Sequence, residues 1–407
     1  MSRLRFGRFD YAAFLSFFAY AAGSVVVPVA LVEIARDLAF DLEAGGMGRA
    51  GLLHLGRTVA MVAAMLTCGV LAGRWGKRRT LGWAVAVMCV GVGACGFSPT
   101  YAVLLMALVV AGLGEGVVEG LATPFVAALH PGDSGRYVNF SHSFWSVGVL
   151  VAVLGTGGVM ALGAGWRWPV VATAVAGLGA AAMILWPASG ERAYPESGEA
   201  SSAGQVWRHA RGLLGLPRFW RYFAAMFAAG GGEFCLTFWV AAFIQLTFTD
   251  NAWAGGVGTG CFALGMFLGR AGAGVWVGQR HLKALILVSS AAGVAVTLVL
   301  PWVSSLTALL PLLLLSGLAT APYWPSIQSL ATERLEEHDS TTLLILLSCA
   351  GVPGCGVLTW LLGVVADASG DLRAAFLLVP GCYLAVLGLI AIDRRSGVAT
   401  EASAGEA

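Results

Sequence analysis

Five charged residues stand well inside long apolar runs of this chain: Arg57, Glu115, Glu119, Glu233 and Arg270. A charge at the centre of a bilayer costs about 2.5–3.5 kcal/mol unless it is paired or hydrated, so such residues are functional candidates by default. The alternative is a structural ion pair that fixes helix packing. Glu115 and Glu119 are four apart, which on a helix places them on one face about 6 Å apart along the axis. Two carboxylates that close in a low dielectric do not easily both ionise, so one is placed to carry a proton near neutral pH. Arg57, about ten residues into its own run, reaches the depth of Glu115. An Arg57–Glu115 pair is therefore expected, leaving Glu119 as the protonatable group. Glu233 follows three glycines, Gly230 to Gly232, which weaken a helix and permit a bend or a close approach. It is read as a coupling acid or a ligand for a substrate hydroxyl, with a salt bridge to Arg270 as the plainer alternative. Glu119, Glu115, Arg57 and Glu233 are thus the candidates for proton coupling.

The elements that carry these residues follow from composition. Of 407 residues 58% are apolar, 11% are charged and 56 are glycine, with a mean hydropathy of +0.81. Soluble domains run about 25% charged and 45–50% apolar, so a disordered chain, a nucleic-acid binder and a typical cytosolic enzyme are excluded. The net charge of +2 implies no polyanionic partner. Roughly 20 apolar residues cross a bilayer. Runs of that kind occupy 12–34, 48–73, 81–98, 101–129, 140–162 and 167–187, then 219–247, 252–277, 283–303, 305–332, 341–366 and 373–392. They are numbered here as spans one to twelve.

Only one long polar segment, Ser189 to Gly204, interrupts them, with the composition of a flexible linker. After it, Gln205 to Trp220 reads as a basic amphipathic helix on the membrane surface. The expected organisation is a six-helix bundle over 1–187, a cytoplasmic linker over 188–218, a second bundle over 219–393 and a tail over 394–407. The fold class is all-α, with twelve transmembrane helices in two pseudo-symmetric bundles. Eighteen of the 24 basic residues fall on the side of the N-terminus and four on the other. The positive-inside rule then puts both termini in the cytoplasm, in a plasma (inner) membrane. The basic start resembles a signal peptide, but the apolar run is too long, so it is expected to stay as span one.

Polar and aromatic residues inside the spans complete the candidate site. Span ten carries Tyr323 and Trp324 between Pro322 and Pro325, followed by Gln328, and a bent helix is tolerable at that depth only beside protein or a cavity. An aromatic face suits the C–H groups of a sugar ring and an amide suits its hydroxyls. Trp239, Thr237 and Gln245 of span seven offer the same, as do Asn139, His142 and Trp145 of span five. Gly351 to Gly356 of span eleven reads as a flexing point. The eight cysteines all fall in spans without metal or CxxC spacing and read as small buried residues. Gly112, Gly116 and Gly120 repeat every four residues, the spacing of a close helix pair.

Two stretches carry a resemblance to known proteins. Gly69, Arg74, Gly76, Lys77, Arg78 and Arg79, between spans two and three, resemble the signature of the major facilitator superfamily. The signature's acidic position is Gly73 here, so the charge latch which that acid implies at the cytoplasmic face is not expected. In spans four and five, Glu119 stands five residues before Pro124-Phe125-Val126, and Asn139 and Phe144 open the next run. This pattern is similar to that of the fucose–proton symporter family, which includes glucose/galactose porters. The family's second coupling acid, four residues before a proline of span one, is Ser24 here, so a two-carboxylate scheme would lack its span-one member.

These readings converge on a secondary active transporter that works by alternating access, with proton-coupled import of a neutral polyhydroxylated small molecule such as a sugar. A proton-driven exporter of amphiphilic compounds is the alternative. No enzyme activity, cofactor, metal or nucleic-acid partner is expected; the lipid bilayer is the surrounding partner and a monomer is the expected state.

Overall fold

A computed structural model describes residues 5–130, 134–187, 194–195 and 203–393. Among the described residues, twelve helices are long and apolar enough to cross a membrane, one in each expected run. They are Arg8–Val29, Met47–Trp75, Lys77–Gly96, Tyr101–Leu129, Phe140–Ala161 and Arg167–Leu185, then Pro217–Thr247, Ala252–Gly274, Gln279–Trp302, Leu306–Arg334, Thr342–Ser369 and Leu372–Ala391. No strand occurs among the described residues.

The differences from expectation have local causes. Span one stops at Val29, and after Ala30 a separate short helix, Leu31–Asp37, continues the chain. Span three starts four residues early because Gly76 turns the chain at φ +83°, a conformation open to glycine at little cost. Lys77, Arg78 and Arg79 therefore form its first turn. The amphipathic helix is shorter than expected, Ala203–Leu214, and Trp220 belongs to span seven, whose first turn begins at Pro217. Pro217 is suited to that first position, where its missing N–H leaves no helical bond unmade. The linker helix buries Ala210 and Leu213 while Trp207 stays exposed.

Span ten does break, at Ala321 and Pro322, into Leu306–Thr320 and Tyr323–Arg334. Spans seven and eleven do not break: each is one continuous helix through its glycines. Those glycines serve contact instead. A Cβ at Gly230 would lie 2.4 Å from the Gly351 carbonyl oxygen, so the two helices touch backbone to backbone.

The same helix pairs recur in both halves of the chain. Spans two and four, three and six, and one and six pack together in the first; eight and ten, nine and twelve, and seven and twelve do so in the second. Spans one and seven are the central helices, 89% and 83% buried over their apolar windows. The halves meet along spans two and eleven and along five and eight.

Hydrogen bonds between the halves gather at the end opposite the termini. There Arg36 pairs with Asp250 at 3.0 Å. The Asp367 carboxylate accepts from the Met47 and Gly48 amides at 3.0 and 2.7 Å, and Gln245 donates to the Val29 carbonyl at 3.3 Å. Toward the terminus end Cys349 Sγ reaches Met65 Sδ at 3.8 Å between the halves, while ion pairs such as His130–Asp10 and Arg334–Asp393 join residues of one half. Arg78 donates to the Ile184 and Leu185 carbonyls and so caps span six. Buried Asp393 takes Arg218, Arg334 and the Tyr222 hydroxyl at 3.2, 3.4 and 3.0 Å.

Candidate functional site

In the first half the glycine ladder of span four sets the geometry. A Cβ at Gly112 would lie 2.3 Å from the Arg57 carbonyl oxygen, and one at Gly116 would lie 2.0 Å from that of Met61. Spans two and four therefore approach to backbone contact, which brings Glu115 against Arg57. Nε of Arg57 donates to Glu115 at 2.5 Å and Nη2 bonds the other oxygen, a bidentate pair. Nη1 reaches the Ser24 carbonyl at 3.4 Å. The pair is sealed, with side chains 3% and 0% exposed.

One turn further along span four, Glu119 is only partly covered. The Tyr20 phenol of span one stands beside it, and Arg270 of the second half is near enough for its charge to act on it. Around it, His142 bonds the Thr123 hydroxyl at 2.9 Å and packs on Phe17, while Trp145 meets the Tyr20 ring edge-on with centroids 4.5 Å apart. Spans one, four and five thus bring Glu119, His142 and Trp145 to one patch. Asn139 lies in the span-five helix, but its side chain falls outside the described residues.

In the second half Arg270 Nη2 donates to both oxygens of Glu233, at 3.1 and 3.3 Å, and Nε donates to the Ala321 carbonyl at 3.3 Å. This pair is more open, with side chains 29% and 11% exposed. It lines a cavity between the halves together with Ser24, Trp145, Thr237 and Thr259 on the polar side and Phe234, Phe262 and Met266 on the apolar side. The cavity volume is about 30 Å³, room for a water or two rather than for a sugar.

Several residues singled out for their chemistry lie outside that cavity. Trp239 is fully buried and its Nε1 donates to the Thr359 carbonyl at 3.0 Å. Tyr323 is fully buried, donates to the Ser289 carbonyl at 2.9 Å and meets Tyr383 edge-on. Gln245 belongs to the closed end described above. Gln328 donates to the Ser348 hydroxyl at 3.2 Å and so ties span ten to span eleven. Trp324 is partly buried beside Gly351, in contact with the cores of both halves. Residue type predicts what a side chain can bond, while the azimuth of its helix decides whether it faces the cavity.

Tyr20, Ser24 and Thr259 reach the site without having been singled out. Tyr20 was legible in principle, since it precedes Ser24 by one turn on the same helix.

Comparison with known proteins agrees with this architecture. A family model described as Major Facilitator Superfamily matches residues 12–354. An uncharacterised MFS-type transporter of Yersinia pestis is 27% identical over 310 residues, 74% of each chain. The fucose–proton symporter of E. coli superposes with a TM-score of 0.62 at 18% identity, covering 94% of this chain and 97% of that one. A D-xylose–proton symporter does so with a TM-score of 0.75 at 14% identity, covering 95% and 98%. At such identities the structural likeness is one of fold. The family match over most of the chain, on twelve spans in two matching sets of six, makes this protein a transporter belonging to the Major Facilitator Superfamily.

Proposed function

We propose that the protein imports a neutral polyhydroxylated small molecule, such as a sugar, together with a proton. The observation that carries this reading is the pairing pattern inside the membrane. Each arginine is matched to one glutamate, Arg57 to Glu115 and Arg270 to Glu233, and Glu119 is left over at the interface of the halves. A carboxylate without a cation of its own, half covered and beside a phenol, is the group best suited to gain and lose a proton. The cavity beside it offers hydroxyls, a neutralised Arg–Glu pair and the Trp145 ring, a set that suits an uncharged ligand with a C–H face.

Binding between two bundles that rock about a central site fits alternating access. With both termini in the cytoplasm of a plasma-membrane protein, the bonded end faces outward and this is an inward-facing state. A monomer contains the whole site.

Glu119→Gln is expected to abolish proton-driven accumulation of a labelled sugar in proteoliposomes while sparing counterflow exchange, because exchange needs no net proton release. Unchanged accumulation would refute the coupling role. The apolar wall of Phe234, Phe262 and Met266 favours a second reading, export of amphiphilic compounds. Extrusion of a lipophilic cation from the same proteoliposomes, with no sugar uptake, would select it.

A further inference from the structure

The two arginines inside the membrane take the same two kinds of partner from exchanged helices. Arg57 of span two holds a carboxylate of span four and a backbone carbonyl of span one, that of Ser24. Arg270 of span eight holds a carboxylate of span seven and a backbone carbonyl of span ten, that of Ala321. Spans one and seven are counterparts, as are four and ten, and Ser24 and Glu233 stand at the same position counted from the first residue of their helices. The arginines themselves sit roughly two helical turns apart in depth, so the likeness lies in what they bond.

Both carbonyls have the same origin. A helical carbonyl accepts from the N–H four residues on. Four residues after Ser24 stands Pro28, and four after Ala321 stands Pro325. Proline has no N–H to give. Pro28 leaves the Ser24 carbonyl inside span one without its helical donor; Ala321 keeps a helical conformation at the break of span ten, and Pro325 has no N–H to offer its carbonyl. In each case an arginine of the neighbouring span supplies the donor.

The clamps differ in what remains. Arg57 uses all three nitrogens and is sealed. Arg270 uses Nε and Nη2, and among the described residues Nη1 has no acceptor although the side chain lines the cavity. A guanidinium has five N–H donors in a fixed fork, so anchoring two of its nitrogens fixes the direction of the third. We propose that Arg270 is a substrate-binding residue and that Pro325 positions it, freeing the carbonyl that anchors Nε so that Nη1 meets adjacent oxygens of a neutral ligand, such as vicinal hydroxyls. Glu233 cancels the charge of Arg270, which removes most of the advantage an anionic ligand would have. The ligand class rests on the import reading above; the positioning of Arg270 by Pro325 does not.

Pro325→Ala returns an N–H to the Ala321 carbonyl and takes the anchor from Arg270. In proteoliposomes offered labelled D-xylose, L-fucose or mannitol, KM for the best-transported compound is expected to rise about tenfold, as for one lost hydrogen bond, with the maximal rate within about twofold. Arg270→Lys, which cannot bridge carbonyl, carboxylate and ligand together, is expected to match it and carries the measurement if Pro325→Ala does not fold. Pro28→Ala is expected to leave KM unchanged. A wild-type KM in Pro325→Ala, or an equal rise in Pro28→Ala, overturns the proposal. Phenylglyoxal, which modifies arginine, supplies a readout that needs no substrate. Its rate at Arg270, followed by peptide mass spectrometry, is expected to rise several-fold in Pro325→Ala, and an unchanged rate overturns the positioning whatever the ligand. A faster rate with none of the three compounds transported would refute the ligand class and leave the positioning standing.

Discussion

Arg57 and Glu115 are held by each other and by almost nothing else, and that makes their cost calculable. Removing one member of a buried pair leaves an uncompensated charge and costs about 3–5 kcal/mol, whereas replacing both with apolar residues of similar volume is often close to neutral. Arg57→Met and Glu115→Gln are each expected to lower the thermal unfolding temperature of the detergent-solubilised protein substantially. The double variant Arg57→Met/Glu115→Met is expected to recover most of the loss. Purely additive effects would mean that the two side chains act independently. Both intramembrane pairs were legible as sequence because charge is scarce in the spans and few partners reach the same depth. Trp239 and Tyr323 were read as site residues but are buried in the core, because an aromatic ring is equally at home in a cavity wall and in a helix-packed core. Asp393 was overlooked for a related reason: it stands at the edge of the tail in sequence, but folding brings it Arg218 and Tyr222 from the start of span seven and Arg334 from the end of span ten.

At the scale of the element, glycine spacing carried more information than glycine flexibility. The four-residue repeat of span four was readable as a contact surface, and it is one, against span two. The triplet of span seven and the cluster of span eleven looked like bending points yet pack as close contacts in unbroken helices. A helix held on several sides by neighbours keeps its shape in spite of low propensity, as propensity is a weak term beside packing. Gly116→Ala would place a Cβ 2.0 Å from the Met61 carbonyl oxygen, push span four off span two and draw Glu115 away from Arg57. Overpacking of that kind costs about 1–3 kcal/mol. Gly155→Ala, in span five, meets nothing within 4 Å and is expected to be neutral or stabilising by up to about 1 kcal/mol. Comparing the two unfolding temperatures separates contact from propensity, and equal shifts would count against the ladder as the element that sets the site.

For the whole molecule, which end is closed was not legible, because a transporter uses one sequence for both of its end states. The structure supplies a physical reason for the end it closes. Span two begins after Gly46, which has no side chain to cap the helix, and the first amides are taken up by Asp367 from the other half. A carboxylate on a helix N-terminus gains both from the free N–H groups and from the helix dipole. The backbone contact that brings it there is as tight: a Cβ at Gly51 would lie 2.6 Å from Cα of Trp360, and one at Gly363 would lie 2.4 Å from the Met47 carbonyl oxygen. In the proposed alternating-access cycle these surfaces part each time, so the cap is broken and remade, and water then takes the amides at part of the original gain. Asp367→Ala removes that gain from the closed end only, and it is expected to raise the population open at that end. A cysteine pair replacing Arg36 and Asp250, which face each other across the same seam, reports the change. Its cross-linking is expected to slow about tenfold in Asp367→Ala, the effect of roughly 1.4 kcal/mol, and to fall between the two in Asp367→Asn, which keeps one acceptor. Equal cross-linking rates in all three would show that the glycine-packed helices hold the end shut unaided and that the borrowed cap plays no part in the cycle.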